Sequence, residues 1–263
     1  MKIGVCLKQV PSTDTQIKVN AAGNGIVTDG IKWETNPYDE YALQAGLELR
    51  KAGKATEVVI LSIGGADSDS RIRDGLARGA DRAIRLDDAA FVGSDALGRA
   101  RILAAAVQAE GFGMVLAGRQ AIDSDNGATA VMLAEVLGWS QVSWIDKLAV
   151  DGGAFTAQRA AGAGFKEAVA GKLPAVFTCD KGLNNPVSAT IMGIAAAKKK
   201  AIDVKSAADL GIDASTVGAG AALVVEDALS LPPARPAGRM LTGDAASVAA
   251  ELVQLLRNEA KVI

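Results

Sequence analysis

The sequence contains no histidine, and this absence removes several kinds of chemistry from consideration. Catalytic triads that need an imidazole, histidine-ligated zinc and most proton relays that work at neutral pH are excluded. Aromatic residues make up only 4% of the chain, while glycine and alanine are plentiful. That composition favours close-packed helices and tight nucleotide-binding loops over a β-sandwich.

Cysteine is also scarce, and the charges of the two signs nearly balance. Cys6 and Cys179 lie far apart and form no CxxC pair, which predicts a reduced, cytoplasmic protein. The net charge of -2 gives no general attraction to nucleic acid or to an anionic membrane. We expect no signal peptide and no transit peptide, because Met1 runs almost directly into the strand-like Ile3–Val5, and no direct membrane insertion, because no apolar stretch reaches membrane-spanning length.

What the sequence does contain is an alternation of short apolar runs with amphipathic segments over roughly residues 1–140. The apolar runs predict strands that are covered on both faces, and the amphipathic segments predict helices. This alternation is typical of a doubly wound, mostly parallel, Rossmann-like α/β fold. The predicted strands are Ile3–Leu7, Val58–Ile63, Arg82–Leu86 and Met114–Ala117, and the predicted helices are Pro37–Lys51, Ser70–Arg78, Asp95–Ala109 and Ala128–Leu137.

Two segments interrupt the alternation and predict inserted β-hairpins. Gln16–Lys32 contains the turn Gly23-Asn24-Gly25, and Val142–Thr156 turns at Asp151-Gly152-Gly153. A further strand is predicted at Ala175–Thr178.

The pattern loosens after residue 200, where Pro-rich sequence precedes a final amphipathic helix at Ala245–Glu259. We therefore divide the chain into an α/β domain at 1–200, with a recognition loop near 180–200, and a C-terminal arm at 201–263. A proline-rich tail with its own helix is typical of a segment that wraps a partner.

The segment Gly118–Thr129 is the strongest candidate for a binding site. It leaves the fourth predicted strand and opens a helix, which is where ligands lie in open α/β sheets. Gly127 and Ala128 leave room for backbone N–H groups to approach a phosphate, and Thr129 adds a hydroxyl donor. The alternative is that Ser124–Asn126 only caps the helix. Three consecutive polar residues exceed what a cap needs, so we favour a ligand.

Two other strand-to-helix segments point to adenine nucleotides less specifically. Asn36-Pro37-Tyr38-Asp39 either lines an adenine or ribose pocket or is an ordinary Asn–Pro helix start. Ser62–Ser68 resembles the SGGxDS loop of ATP pyrophosphatases, but Ile63 separates its serine from the glycines. We favour a plain turn there.

Leu183 and the Lys198–Lys200 run are candidates for contacts with another protein. Leu183 lies among glycine, asparagine and proline, so it is either an exposed anchor or tucked into its own core. The three lysines end a predicted helix, where cations complement the helix dipole even without a partner.

Seven short segments together resemble the β subunit of electron-transfer flavoproteins. They follow the family's order and spacing over roughly residues 1–213, and each is weak alone. They are Val5–Val10, Val27–Gly30, Asn36–Asp39, Gly79–Arg82, Gly118–Asp123, Leu173–Val176 and Ala197–Lys200.

The resemblance implies a protein without its own redox centre, which binds AMP structurally and pairs with an α subunit that holds most of an FAD. Electrons would arrive from acyl-CoA or other flavin dehydrogenases and leave to a quinone oxidoreductase or another acceptor. Thr13 would lie beside the flavin, and Leu183 would dock dehydrogenases. The implied AMP contacts are Cys6, Asn36, Pro37, Tyr38, Asp39, Ile63, Gly118, Gln120, Ala121, Ile122, Asp123, Ser124, Asp125, Asn126, Gly127, Ala128 and Thr129.

The chain departs from the family pattern at three places. Gly127 and Ala128 stand where the usual loop has asparagine and glutamine, so backbone contacts to the phosphate must suffice. Ala160–Phe165 lacks the acidic residues of the family's signature, and Ala196 replaces a basic residue.

Two other functions remain open. The first is the β subunit of an NADH-dependent, electron-bifurcating flavoprotein with a second FAD in the AMP site. The threonine at position 129 favours AMP, because the bifurcating forms carry a valine there. The second is a stand-alone nucleotide-binding regulatory module of the universal-stress-protein type, against which the Pro-rich tail argues.

Overall fold

The structure is a computed structural model that describes residues 1–226, 228–235 and 237–263. Asp227 and Pro236, two residues of the predicted arm, lie outside the described residues. Within the described part, eleven strands and six α-helices alternate along the chain. The strands are β1 (Lys2–Cys6), β2 (Gln9–Pro11), β3 (Trp33–Thr35), β4 (Glu57–Ile63), β5 (Arg82–Leu86), β6 (Met114–Gly118), β7 (Ser140–Asp151), β8 (Ala154–Gly162), β9 (Phe165–Lys172), β10 (Ala175–Cys179) and β11 (Ile202–Lys205).

The helices begin and end close to the predicted residues, because the proline at the start of the first helix and the glycines that follow the helices are local signals. Asp95 caps the third helix by accepting a hydrogen bond from the Gly98 N–H, and Gly111 ends that helix in the left-handed region. The helices are α1 (Pro37–Lys51), α2 (Asp69–Arg78), α3 (Ala96–Glu110), α4 (Thr129–Leu137), α5 (Ile191–Ala197) and α6 (Ala245–Asn258).

Nine of the described strands form one sheet in the order β11-β5-β4-β1-β6-β10-β7-β8-β9. Every pair from β11 to β7 is parallel, and β7, β8 and β9 pair antiparallel. The chain moves outward from β1 in one direction through β4 and β5, and β6 continues it on the other side of β1. The carboxyl ends of β1 and β6 therefore form a topological switch point, where doubly wound folds bind ligands.

The two faces of this sheet are both buried, which confirms the doubly wound α/β prediction. Alternate residues of one strand belong to opposite cores: Val58 and Ile60 pack with α1 and α2, whereas Val59 and Leu61 pack with α3 and α4. The continuous apolar runs in the sequence reflect this two-sided burial.

The hairpin predicted at Val142–Thr156 is confirmed, since β7 and β8 pair on either side of Gly152 and Gly153. The hairpin predicted at Gln16–Lys32 is wrong as a pair of strands. Only an isolated bridge joins Val19 and Ile26 there, and the paired strands are the flanking β2 and β3. Strand β9 was not predicted, because its Gly- and Ala-rich sequence has little strand character.

Contacts divide the chain into two compact units. The first contains residues 1–17 and 27–226, and the second contains 18–26 and 228–263. Residues 201–226 thus belong with the sheet, and Ala207 and Val217 are buried in its second core. The second unit contains α6, whose first turn is capped by Asp244. That residues 201–263 bind a partner stays a prediction.

None of the helices in residues 1–226, 228–235 and 237–263 has both the length and the apolar character needed to cross a membrane.

Replacing Phe177 with alanine tests the core of the first unit. Its side chain is 0% exposed and meets Phe155 edge to face, with ring centroids 4.9 Å apart. Phe177→Ala should lower the free energy of unfolding by about 3–5 kcal/mol, because it leaves a cavity that close packing cannot fill. Phe165 is 73% exposed, so Phe165→Ala should change stability by less than about 0.5 kcal/mol. Chemical denaturation of both variants measures the difference, and equal losses would contradict this account of the core.

Candidate functional site

The buried Asp39 carboxylate joins the ends of the two strands at the switch point. Its Oδ2 accepts the Lys8 N–H at 2.8 Å, just past β1, and its Oδ1 accepts the Gly118 N–H at 2.9 Å, at the end of β6. A side chain at position 118 would collide with this carboxylate and would come within 2.7 Å of the Tyr38 Cβ. The start of α1 is therefore fixed against both strand ends, and only glycine fits at the contact.

Asn36 is the N-cap residue of α1, but its side chain makes no capping hydrogen bond, so the alternative of an ordinary Asn–Pro cap is wrong. Its Nδ2 donates to the Gln120 carbonyl oxygen at 2.9 Å, and its Oδ1 accepts the Ile122 N–H at 3.2 Å. The residue is 1% exposed. The side-chain amide of Asn36 thus holds the Gly118–Thr129 segment and leaves the start of α1 without a side-chain cap.

The segment between β6 and α4 folds back on itself and leaves the helix start uncapped. The N–H groups of Ser124 and Asp125 both donate to the Ala121 carbonyl oxygen, and Gln120 Nε2 donates to Asp125 Oδ1 at 2.7 Å. The N-cap residue of α4 is Ala128, and no side chain caps the helix. The alternative in which Ser124–Asn126 caps α4 is therefore wrong.

An uncapped helix start suits an anion. The first N–H groups of a helix have no intrahelical acceptor, and the helix dipole adds partial positive charge there. Gly127, with φ +63°, turns the chain into α4 with only hydrogen in place of a side chain. These features meet the requirements of a phosphate site built from backbone donors.

A cavity of about 360 Å³ opens at this point and lies within the first unit. Twelve of the predicted site residues line it: Cys6, Asn36, Asp39, Ile63, Gly118, Gln120, Ala121, Ser124, Asn126, Gly127, Ala128 and Thr129. The other five do not line it: Pro37, Tyr38, Ile122, Asp123 and Asp125.

Several cavity residues were missed from the sequence. Leu61, Phe91 and Leu103 form an apolar wall, and Lys8, Arg99 and Arg119 add cations. The wall residues look like ordinary core in a sequence. Arg99 did offer a signal, because a cation at the fourth residue of a helix opposes the helix dipole.

Two of the cations around the cavity have carboxylate partners. Lys8 Nζ contacts Asp123 Oδ2 at 2.7 Å, and Arg119 Nη1 contacts Asp180 Oδ2 at 3.2 Å. Asp123 therefore holds the loop without lining the cavity.

Arg119 also stacks between two aromatic rings. Its guanidinium carbon lies 4.8 Å from the Tyr38 ring centroid and 4.7 Å from that of Trp144. Tyr38 thus contacts a residue of the cavity but does not line the cavity itself, whereas the sequence placed it in the pocket.

Burial shifts the pKa values of the acids in this region upward. Desolvation, followed by the charge of Asp39, raises the pKa of the Cys6 thiol to about 12, so the thiol is protonated and unreactive. Desolvation raises the pKa of Asp39 to about 7, although hydrogen bonds from Lys8, Asn36 and Gly118 oppose the shift.

Neither Thr13, which the resemblance places beside the flavin, nor Leu183, which it assigns to dehydrogenase docking, lines the cavity. Thr13 is exposed in a turn after β2. Leu183 is half-buried and packs against the first core. Large exposed apolar side chains occur nearby at the start of α5, where Ile191 is 87% exposed and Met192 is 84% exposed.

Asp39→Asn should remove a pH dependence of stability. Because folding raises the pKa of Asp39 from 3.8 to about 7, its contribution is fully present below pH 4 and is lost as the pH rises through 7. The stability difference between the wild type and the variant should fall by roughly 4 kcal/mol over that window. Denaturant unfolding at pH 4 to 7.5 measures it. Asp151→Asn is the control, since the pKa of this exposed carboxyl is lowered and the difference should be flat above pH 5. An equally flat profile for Asp39→Asn would contradict the assignment.

Residues 24–210 match the Electron transfer flavoprotein domain family. The chain is 40% identical over 263 residues to an electron transfer flavoprotein subunit beta from Bradyrhizobium diazoefficiens, with 100% of each chain covered. It is 36% identical over 242 residues to the human electron transfer flavoprotein subunit beta, covering 90% of this chain and 91% of the relative. It is 31% identical over 261 residues to the caffeyl-CoA reductase–Etf complex subunit CarD of Acetobacterium woodii, covering 98% and 99%.

The likeness extends over the whole chain and includes the strands and the loop that form the cavity. The chain therefore belongs to the electron transfer flavoprotein family, as a β subunit that works in a heterodimer with an α subunit.

Proposed function

We propose that the cavity binds AMP as a structural nucleotide, in a subunit that positions an FAD held mainly by the α subunit. The observation behind this proposal is the uncapped start of α4 at the edge of a cavity with an apolar wall. The N–H groups from Gly127 into α4 would take the phosphate, and Leu61, Phe91 and Leu103 would enclose the adenosine.

The FAD, when bound, would supply the electron chemistry. This chain's residues would bind and orient. Asp39 and Asn36 hold the loop against β1 and α1, and the nucleotide would fill the remaining space. AMP would thereby stiffen the surface on which the flavin-bearing part of the α subunit rests.

A second FAD in the same cavity is the competing proposal. The likeness to CarD, whose name places it in a caffeyl-CoA reductase–Etf complex, keeps this alternative open. Thr129 lines the cavity. A threonine at this position favours AMP over the second FAD, because the bifurcating forms carry a valine there.

Extraction of bound nucleotides from the purified heterodimer tests the proposal. We expect one AMP and one FAD per heterodimer, measured by chromatography after acid release. Two FAD molecules and no AMP would favour the competing proposal. A preparation with no adenine nucleotide beyond the single FAD would contradict both.

Ala128→Asp and Ala128→Asn form a matched pair for the same test. Both residues are good N-caps, so both should keep or raise the stability of α4. Only the aspartate places a negative charge where the phosphate would lie. Ala128→Asp should lower bound AMP at least about tenfold, whereas Ala128→Asn should lose much less. Equal AMP content in the two variants would place the phosphate elsewhere.

We also propose that flavin dehydrogenases dock on the start of α5. Ile191 and Met192 are the exposed apolar residues there, and Lys198 and Lys199 are exposed beyond the helix end. This arrangement suits a partner with an apolar pocket and acidic residues beside it. Leu183, the residue chosen from the sequence, has less free surface for such a contact.

Ile191→Glu should raise the KM of a dehydrogenase for the flavoprotein about tenfold with no loss of stability, since the side chain has little to lose on folding. Leu183→Ala should lower stability and leave that KM within about twofold. Steady-state assays with a partner dehydrogenase and thermal unfolding measure the two effects. The opposite pattern would restore Leu183 as the anchor.

A further inference from the structure

We infer that Arg99 is a phosphate-binding residue of the nucleotide cavity, which compensates for a loop without polar side chains at Gly127 and Ala128. This inference rests on the proposed nucleotide function and assigns the ligand's charge to a particular side chain. Arg99 lines the same cavity as Gly127, Ala128 and Thr129 but belongs to a different helix, α3.

The first argument is the pairing of the cavity's cations. Three basic residues line it among the described residues: Lys8, Arg99 and Arg119. Lys8 is paired with Asp123, and Arg119 is paired with Asp180. No carboxylate in the described part of the chain pairs with Arg99. Its guanidinium is therefore the lining cation that is available to an anionic ligand.

The second argument is the cost of its position. Arg99 is the fourth residue of α3, where the helix dipole disfavours a positive charge. The acid nearest in sequence, Asp95, forms no ion pair with Arg99 in the described residues: its Oδ1 accepts the Gly98 N–H, and its Oδ2 accepts the N–H groups of Leu223 and Val224. Arg99 is exposed to solvent and has no carboxylate partner among the described residues, so its place beside the cavity fits a role in binding better than a role in folding.

The third argument is the donor set of the facing loop. Gly127 and Ala128 offer only backbone N–H groups, which are neutral donors. A phosphate with two negative charges bound by these alone would stay under-compensated in a partly enclosed cavity. A guanidinium from α3 supplies the missing charge and a planar pair of donors.

The experiment uses the heterodimer after removal of its bound nucleotide, titrated with AMP and with adenosine by calorimetry. Arg99→Gln should weaken the affinity for AMP roughly ten- to a hundredfold, the range expected when a charge-assisted contact is lost. The same variant should bind adenosine, which has no phosphate, with an affinity within about twofold of that of the wild type. The thermal stability of the nucleotide-free Arg99→Gln protein should be unchanged or higher, because an unfavourable first-turn charge is gone.

Two further variants complete the test. Arg99→Lys should lose less AMP affinity than Arg99→Gln, because it keeps the charge without the planar donors. Arg71→Gln removes a cation that, within the described residues, hydrogen-bonds to Ser70 alone and does not line the cavity, so this variant should bind AMP with wild-type affinity.

The outcomes separate this inference from the function on which it rests. If Arg99→Gln binds AMP as tightly as the wild type while Ala128→Asp does not, the role of Arg99 is wrong and the nucleotide site stands. If Arg99→Gln weakens AMP and adenosine equally, the residue shapes the cavity and does not bind phosphate. If the wild type binds neither ligand, both proposals fail.

Discussion

The hydrogen bonds of one buried carboxylate organise the functional end of this molecule. Asp39 accepts one N–H from the end of β1 and another from the end of β6, and it belongs to the first turn of α1. These three elements come from distant parts of the sequence, so no local signal brings them together. With the Asp39 contacts in place, the two strand ends lie at a fixed separation, and the loop after Gly118 has a defined starting point.

The remainder of the site follows from that starting point. Asn36, three residues before Asp39, holds the loop through its Gln120 and Ile122 backbone groups. The loop then turns through Gly127 and presents an uncapped helix start. The resulting cavity lies at the topological switch point, where the strand order of the parallel sheet reverses. Open α/β folds bind their ligands at this place. Burial of the Asp39 carboxylate also lowers the stability of the fold near neutral pH, because the charged form is desolvated.

The general architecture could be predicted from the sequence, because it depends on short-range signals. The apolar runs of the parallel strands, the proline at the start of α1 and the glycines after the helices all act locally. The failures concern long-range partners. Asn36 has the residue type of a helix cap, yet its partners lie more than eighty residues away. Tyr38 was assigned to the pocket, yet it does not line the cavity and instead stacks on Arg119, which does.

In the candidate site, too, the local signals could be predicted from the sequence and the long-range contacts could not. The Gly118–Thr129 segment stands out because strand, glycine and helix start follow one another in the sequence. The apolar wall could not be recognised, because Leu61 and Leu103 have the same pattern as any core residue. Strand β9 was missed for the opposite reason: its residues have weak strand character, and pairing with β8 determines its conformation. Sequence patterns report local geometry, whereas the site is assembled by tertiary contacts.

A crystal structure of the heterodimer as purified would test the central claim most directly. The account predicts an AMP in the cavity, with a phosphate oxygen about 3 Å from N–H groups at the start of α4 and the Arg99 guanidinium on the same phosphate. A phosphate bound elsewhere, or a loop from Gly118 to Thr129 that closes the cavity with its own side chains, would contradict it.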